Sequence, residues 1–253
     1  MARPVQGAPY GNARRRSGDS LIQLAASVGQ HIAMMKADQL KPPLLACGLL
    51  SSLLYVAADI FAALRYPGYD YGAQAISEMS AKGAPTAELL VPIYTLYSIL
   101  FALFGAGVWF AAGRNRAIRV AAGFIIAVAA LGIGWAIFPM NARGTERTLT
   151  DTMHLVMGAA STVLLIGAIL SGAAALGRNF RLYSTMTVVL MLGFGYLMSL
   201  DVPRVAAGQP TPYLGTTERV TMTSWLLWMA VFSVTLLREH RASTGRLCIQ
   251  DGS

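Results

Sequence analysis

One histidine of this chain, His154, has an acid three residues before it and a hydroxyl seven residues after it, at Asp151 and Ser161. These spacings place all three side chains on one side of a helix, where the carboxylate can orient the imidazole ring. A histidine with an acid and a nearby hydroxyl is the smallest set of groups for nucleophilic hydrolysis or group transfer. The same residues also fit a structural histidine satisfied by ordinary hydrogen bonds.

A second candidate is Asp59, a carboxylate inside a long apolar stretch that carries Ser52 and Tyr55 on the same helical face. A charged side chain at membrane depth is costly and faces the protein interior or a water-filled cavity. This placement predicts a polar site that binds a ligand or assists His154 in catalysis. The alternative is a structural ion pair with an arginine near a helix end, either Arg204 or Arg219.

Acidic residues also gather in the segments between the apolar stretches, where they can bind a cation, a cationic headgroup or a peptide amine. The predicted ligand-binding set joins them to the intramembrane candidates: Asp59, Tyr55, Asp70, Ser77, Glu78, His154, Asp201 and Glu218. The alternative is a solvated surface in which the acids pair with Lys82, Arg204 and Arg219, at little energy per pair.

The sequence predicts no metal site and no cofactor. Two cysteines and three histidines leave too few ligands for zinc or a haem held between helices. A glycine-rich phosphate loop after a strand, which would indicate a nucleotide, is also missing from the sequence.

The elements that must position these residues follow from the composition. Of 253 residues, 55% are hydrophobic and only 13% are charged, and the mean hydropathy is +0.52. A soluble domain carries about 25% charged residues, so an ordinary water-soluble enzyme is excluded. Six apolar runs are long enough to cross a bilayer as helices: Pro43–Leu64, Leu89–Ala112, Val120–Phe138, Thr152–Leu176, Leu182–Leu200 and Val220–Leu237. The predicted fold is an all-α polytopic membrane protein, a six-helix bundle.

The basic residues predict the orientation of this bundle. Fourteen Lys and Arg lie before the first span, after the last span and in the connections 113–119 and 177–181, against six in the other three connections. By the positive-inside rule both termini are cytoplasmic and the acidic connections face outward, as expected in the plasma membrane. The net charge of +8 is then an insertion signal and an attraction to anionic lipid, and no nucleic-acid partner is expected.

Four segments are predicted along the chain. Residues 1–19 form a disordered basic N-terminus, 20–40 an amphipathic interfacial helix, 41–238 the membrane domain and 239–253 a flexible tail. Within the membrane domain, small residues predict close helix packing, at Gly105 and Gly107 in the second span and along a stripe of Gly123, Ala127, Ala130 and Gly134 in the third.

The first outer connection carries the most specific motifs. It contains Tyr69-Asp70-Tyr71-Gly72, then Ile76-Ser77-Glu78-Met79-Ser80-Ala81, then Gly83-Ala84-Pro85. Together with Phe138-Pro139 and His154, this order resembles the bacterial and archaeal integral-membrane family catalogued as domain of unknown function 998. The resemblance covers residues 43–238. It implies six transmembrane helices and no particular reaction, because the family has no established activity.

Three functions remain open from the sequence. The first is a membrane protein with an outward-facing polar site that binds or transports a lipid or small amphiphile. The second is a non-catalytic protein that binds a membrane-protein partner. The third is an intramembrane hydrolase or transferase that uses His154 with Asp151 and Asp59.

Overall fold

The fold is that of a computed structural model, which describes the backbone of residues 11–250 and the side chains of residues 38–243. The described chain is helical and contains no strand. The helices are α1 Gly11–Arg65, α2 Ala87–Ala111, α3 Arg116–Gly132, α4 Gly134–Ile137, α5 Leu149–Ala175, α6 Arg178–Ala206 and α7 Leu214–Gln250, with a short 3-10 helix at Ile76–Ser80.

Six stretches are long and apolar enough to cross a membrane, which confirms the predicted fold class. They are Asp38–Arg65, Ala87–Ala111, Arg116–Ile137, Leu149–Ala175, Arg178–Ala206 and Leu214–Ser243. Each overlaps one predicted span. The first and the last two are longer at both ends than predicted, because their first and final turns carry polar residues that a search for apolar runs leaves out.

The chain divides into two units after Leu40. The second unit contains five of the six membrane-length stretches whole and the first one from Lys41 onward. Of the predicted disordered segment 1–19, residues 1–10 lie outside the described backbone, and the interfacial position of residues 20–40 stays a prediction. At the other end, α7 is helical to Gln250, within the predicted tail 239–253, whose mobility also stays a prediction.

The core of the membrane unit is aromatic and closely packed. Phe101 of α2 lies between Phe104 and Trp225, and Phe104 meets Phe232 of α7 edge-on. Such ring pairs contribute more than their buried area alone, because the ring edges and faces attract. The packing of α2 and α7 against each other brings residues from distant parts of the chain into one cluster.

Glycines allow the closest helix contacts, though only partly where the sequence predicts them. A Cβ at Gly107 would lie 2.8 Å from the backbone of Leu44, and one at Gly105 would lie 2.7 Å from Ile126. The predicted stripe in α3 is wrong at Gly123, which is exposed and where an added Cβ would meet nothing within 4 Å. The buried face of α3 instead carries Ala121, Ala122, Ile125 and Ala129.

Three connections gather at one end of the helices and form what we term the loop cap: residues 66–86, 138–148 and 207–213. Lys82 N–H donates to the Met140 carbonyl at 2.8 Å, and Gly144 N–H donates to the Val205 carbonyl at 3.1 Å. The Thr211 hydroxyl donates to the Ala73 carbonyl at 2.8 Å. These bonds link all three connections, so the loop cap is one hydrogen-bonded layer over the helix ends.

Candidate functional site

A buried ion pair lies where the loop cap meets the helices. Asp59 near the end of α1 and Arg219 in the second turn of α7 are 6% and 9% exposed. Arg219 Nη2 lies 2.9 Å from Asp59 Oδ1, and Arg219 Nε lies 3.1 Å from Oδ2. This two-point geometry is the strongest form of an arginine–carboxylate pair, and it joins residues 160 positions apart.

The remaining donors of Arg219 are taken by the first connection and by its own helix. Nη1 donates to the carbonyls of Tyr71 at 2.7 Å and Gly215 at 3.2 Å, and Nη2 donates to the Tyr69 hydroxyl at 2.9 Å. The guanidinium carbon also lies 3.5 Å from the centre of the Tyr71 ring. Arg219 therefore has no N–H left for a ligand, because all its nitrogens already donate to the protein.

Two tyrosines complete the arrangement around this pair. The Tyr71 hydroxyl donates to Asp59 Oδ2 at 2.5 Å, and the Tyr69 hydroxyl donates to the Ala75 carbonyl at 2.8 Å. Burial raises the pKa of both phenols, and for Tyr71 the neighbouring Asp59 carboxylate raises the pKa further. Both groups therefore stay protonated and act as hydrogen-bond donors.

A second ion pair holds the loop cap together. Glu78, only 5% exposed, receives Arg143 Nη2 at 2.6 Å on one oxygen and Arg143 Nε at 3.0 Å on the other. Glu78 also accepts the Ala75 N–H at 2.8 Å, and Arg143 donates to the Gln209 carbonyl at 3.1 Å. This one ion pair thus joins all three connections of the cap.

The other predicted loop acids bind backbone N–H groups or an arginine of the same helix. Glu218 accepts the N–H of Ile76 at 2.6 Å, and Asp70 accepts the N–H groups of Gly72 and Ala73 within its own turn. Asp201 pairs with Arg204 at 3.2 Å, three residues on, and half-buried Ser77 lies within the 3-10 helix. The structure thus brings Asp59, Glu78 and Glu218 to one layer, without bringing their carboxylates together as a cation site.

The predicted catalytic histidine is positioned by groups other than its proposed partners. His154 Nδ1 lies 3.0 Å from the Phe138 carbonyl, and its ring meets the Trp135 ring edge-on at 4.5 Å. Among the described residues, no hydrogen bond connects His154 to Asp151, Ser161 or Asp59. The imidazole is instead positioned by a backbone carbonyl and an indole.

The two predicted helpers of His154 have other surroundings. The Asp151 carboxylate accepts the N–H groups of Asn141 and Thr148 and so caps the start of α5. The Ser161 hydroxyl is buried without a hydrogen-bond partner among the described residues. The catalytic candidates therefore do not form one constellation.

Tyr55 packs in the aromatic core rather than against Asp59. Its ring stacks on Tyr94 at 5.4 Å and meets Tyr97 at 5.2 Å. The predicted polar stripe therefore separates: Ser52 donates to the Leu226 carbonyl at 3.0 Å, whereas Asp59 binds Arg219. Ser52 and Asp59 are thus bound to α7, whereas the Tyr55 ring packs on Tyr94 and Tyr97 of α2.

A groove of about 430 Å³ opens between α6 and α7, beside the buried ion pair. Tyr71, Thr216 and Arg219 line its end nearest the loop cap. Farther along, the walls are apolar side chains of both helices interspersed with hydroxyls: Met186, Leu190, Val220, Leu227, Thr187 and Ser224. The groove is thus open, long and mainly apolar. At its polar end, Tyr71 and Arg219 are fixed by their hydrogen bonds to Asp59.

The sequence of this chain matches the model of the family described as "Protein of unknown function (DUF998)" over residues 49–235. The chain belongs to this family. No curated protein and no solved structure matches the chain at a significant level. Both ion pairs and the groove lie within the residues matched to DUF998, so the site is part of the family domain.

Two features of this DUF998 site escape sequence reasoning. Arg143 looks like an ordinary loop charge, and nothing in its neighbourhood indicates a partner 65 residues away. Tyr71 looks like one residue of a loop motif, although its hydroxyl reaches the intramembrane acid. One sequence feature could have indicated this site: the stretch from Tyr66 to Glu78 contains several tyrosines and acids close together, which is unusual for a connection that lies only in solvent.

Proposed function

We propose that this membrane protein binds a lipid-like amphiphile in the groove between α6 and α7. The supporting observation is the groove itself, about 430 Å³ of mainly apolar space that ends at a fixed polar layer. Sites for small ligands commonly measure about 300–1,000 Å³ and combine apolar walls with a few placed polar groups. A groove between two membrane-length helices is reached from the lipid phase, where such a ligand is already dissolved.

In this proposal Asp59 has a positioning role. Arg219 and Tyr71 line the groove, and Asp59 holds both from behind. The predicted ligand-binding role of Asp59 thereby becomes indirect, because its carboxylate is already occupied by these two side chains. The proposal covers binding rather than transport, because transport requires a second opening on the other side of the membrane.

We further propose that the loop cap faces outward and that both termini are cytoplasmic, in the plasma membrane. Six basic residues lie at the loop-cap end, against fourteen at the opposite end. This count supports the proposed orientation, because the positive-inside rule depends on the number of Lys and Arg residues near the spans. This asymmetry favours retention of the opposite end in the cytoplasm.

The test uses two variants with the same change at equal exposure. Leu227 lines the groove and is 55% exposed, whereas Leu192 is 54% exposed and lies outside the groove lining. We expect Leu227→Trp to fill the groove and lower the native lipid that co-purifies from membranes at least about ten-fold, as measured by native mass spectrometry. We expect Leu192→Trp to retain the co-purifying lipid. Equal lipid in both variants and the parent protein would overturn the proposal.

The same spectra address a membrane-protein partner as the occupant of the groove. A second polypeptide, or a second copy of this chain, that is lost in Leu227→Trp and retained in Leu192→Trp would replace the lipid as the ligand. An unchanged monomer mass with bound lipid supports the proposal as stated.

A further inference from the structure

We infer that the groove between α6 and α7 selects an uncharged amphiphile with a hydroxyl-bearing head, such as a monoacylglycerol or another lipid alcohol, over its phosphorylated counterpart. This inference rests on the proposed function and names its ligand class. Two features of the groove carry it: the state of its charged group and the direction of its hydrogen bonds.

The first feature is the state of Arg219, the only charged group among the described residues that line the groove. Its charge is balanced by Asp59 through two hydrogen bonds of 2.9 and 3.1 Å. Its other N–H groups bind Tyr69, Tyr71 and Gly215. A phosphate in the groove would therefore find neither a free positive charge nor a free guanidinium donor.

A charged head between α6 and α7 would also exchange part of its hydration for the groove lining. Burying an anion without a counter-charge costs far more than burying a hydroxyl that finds a hydrogen bond. If Arg219 turned to bind a phosphate, the buried Asp59 carboxylate would lose its partner. The cost of an unpaired buried anion would then fall on Asp59 instead of on the phosphate. The groove thus disfavours anionic heads even though the chain as a whole carries a net charge of +8.

The second feature is the direction of the hydrogen bonds made by the groove hydroxyls. Ser224 donates to the Val220 carbonyl at 2.7 Å, and Thr187 donates to the Tyr183 carbonyl at 3.1 Å. The Tyr71 hydroxyl donates a hydrogen bond to Asp59. A hydroxyl that donates one hydrogen bond still has lone pairs with which it can accept another.

The groove therefore offers acceptors more than donors. Among its described hydroxyls, those of Thr223 and Tyr183 have no hydrogen bond to the rest of the chain, and the Tyr183 oxygen has almost no exposed surface, so Tyr183 contributes its ring. A ligand hydroxyl donates and accepts, so it matches this lining. A phosphate oxygen only accepts, so it does not.

A matched pair of probes tests the inference: 1-monooleoylglycerol and 1-oleoyl-lysophosphatidic acid, which share the acyl chain and glycerol and differ by the phosphate. Each is titrated into detergent-purified protein, and bound probe is measured by native mass spectrometry. We expect the neutral probe to bind at least about ten-fold more tightly, and this binding to be lost in Leu227→Trp and retained in Leu192→Trp. The positive net charge biases nonspecific binding toward the anionic probe, which makes the expected result harder to obtain by chance.

A second variant checks the hydrogen-bond argument. Ser224→Ala removes one acceptor at little cost to α7, because its hydroxyl bonds only within its own helix. We expect about five-fold weaker binding of monooleoylglycerol and no change for the lysophosphatidic acid. Equal losses for both probes would overturn the assigned role of the hydroxyls.

These experiments distinguish a failure of the ligand class from a failure of the proposed amphiphile binding. Groove-dependent binding that favours the phosphorylated probe overturns the inference alone. Binding of neither probe also overturns the inference, whereas the proposed function is decided by the native lipid in Leu227→Trp and Leu192→Trp. Probe binding that is equal in those two variants counts against both.

Discussion

At the scale of single residues, the Asp59–Arg219 pair makes the sharpest prediction. Asp59→Asn leaves a buried guanidinium without its counter-charge, so we expect a loss of about 3–5 kcal/mol in the free energy of unfolding, measured in mixed micelles. Asp201→Asn is the matched control. Its partner Arg204 has a side chain that is 55% exposed, so its loss should be about 0–1 kcal/mol.

Removing both charges of the buried pair should cost less than removing one. In Asp59→Leu/Arg219→Met no charge of the pair remains, and apolar replacements of a buried pair are often close to neutral. We expect the double variant to be more stable than Asp59→Asn. If it is less stable, the pair contributes through its attraction rather than through the penalty of an unpaired charge.

Tyr71 offers a finer test of the same site. Tyr71→Phe keeps the ring that covers Arg219 and removes only the hydroxyl that donates to Asp59. Hydrogen bonds to charged groups contribute about 1.5–3 kcal/mol, and we expect a loss near the lower end because Tyr71 is 44% exposed. Tyr213→Phe, at a residue 71% exposed, should leave the free energy of unfolding unchanged.

The residue-level site was half predictable from the sequence. An acid at membrane depth had to be satisfied, and Arg219 was one of two partners that its position near a helix end suggested for Asp59. The Glu78–Arg143 pair was not predictable, because it depends on how two irregular connections fold over each other. Hydrophobic periodicity constrains helices and carries no information about the path of a loop.

At the scale of the helices, two glycines of similar sequence context should respond in opposite ways. Gly107→Ala places a Cβ 2.8 Å from the Leu44 backbone, where neither helix can give way without moving. We expect a loss of about 1–3 kcal/mol from overpacking. Gly123→Ala meets nothing within 4 Å and should stabilise α3 by about 0.5–1 kcal/mol through helix propensity.

Unfolding of the two variants in the same micelles decides this prediction. A neutral Gly107→Ala would mean that α1 and α2 separate more easily than their packing indicates. These two glycines also show how far a pattern of small residues can predict helix contacts. In a soluble protein a hydrophobic face points inward, but in lipid both faces of a helix are apolar, so small residues at Gly123 and Gly107 look alike in sequence.

At the scale of the whole molecule, the six membrane-length helices were predictable because a bilayer demands about 20 apolar residues per crossing. The family was predictable from the motifs between Tyr69 and Pro85. The loop cap and the groove were not, since both arise from tertiary packing between segments far apart in the chain. The features closest to function were therefore the ones least visible in the sequence.

The orientation of the whole molecule gives the last prediction. In a background of Cys47→Ser and Cys248→Ser, single cysteines are placed at exposed Glu146 in the loop cap and at exposed Asn179, near the connection at the opposite end. On intact cells a membrane-impermeant maleimide should label Glu146→Cys, whereas Asn179→Cys should react only after the membrane is permeabilised. This outcome follows from the surplus of arginines beside Asn179, since positive charge near short connections resists translocation. The reverse labelling pattern would place the loop cap in the cytoplasm, and the ligand of the groove would then enter from the inner leaflet.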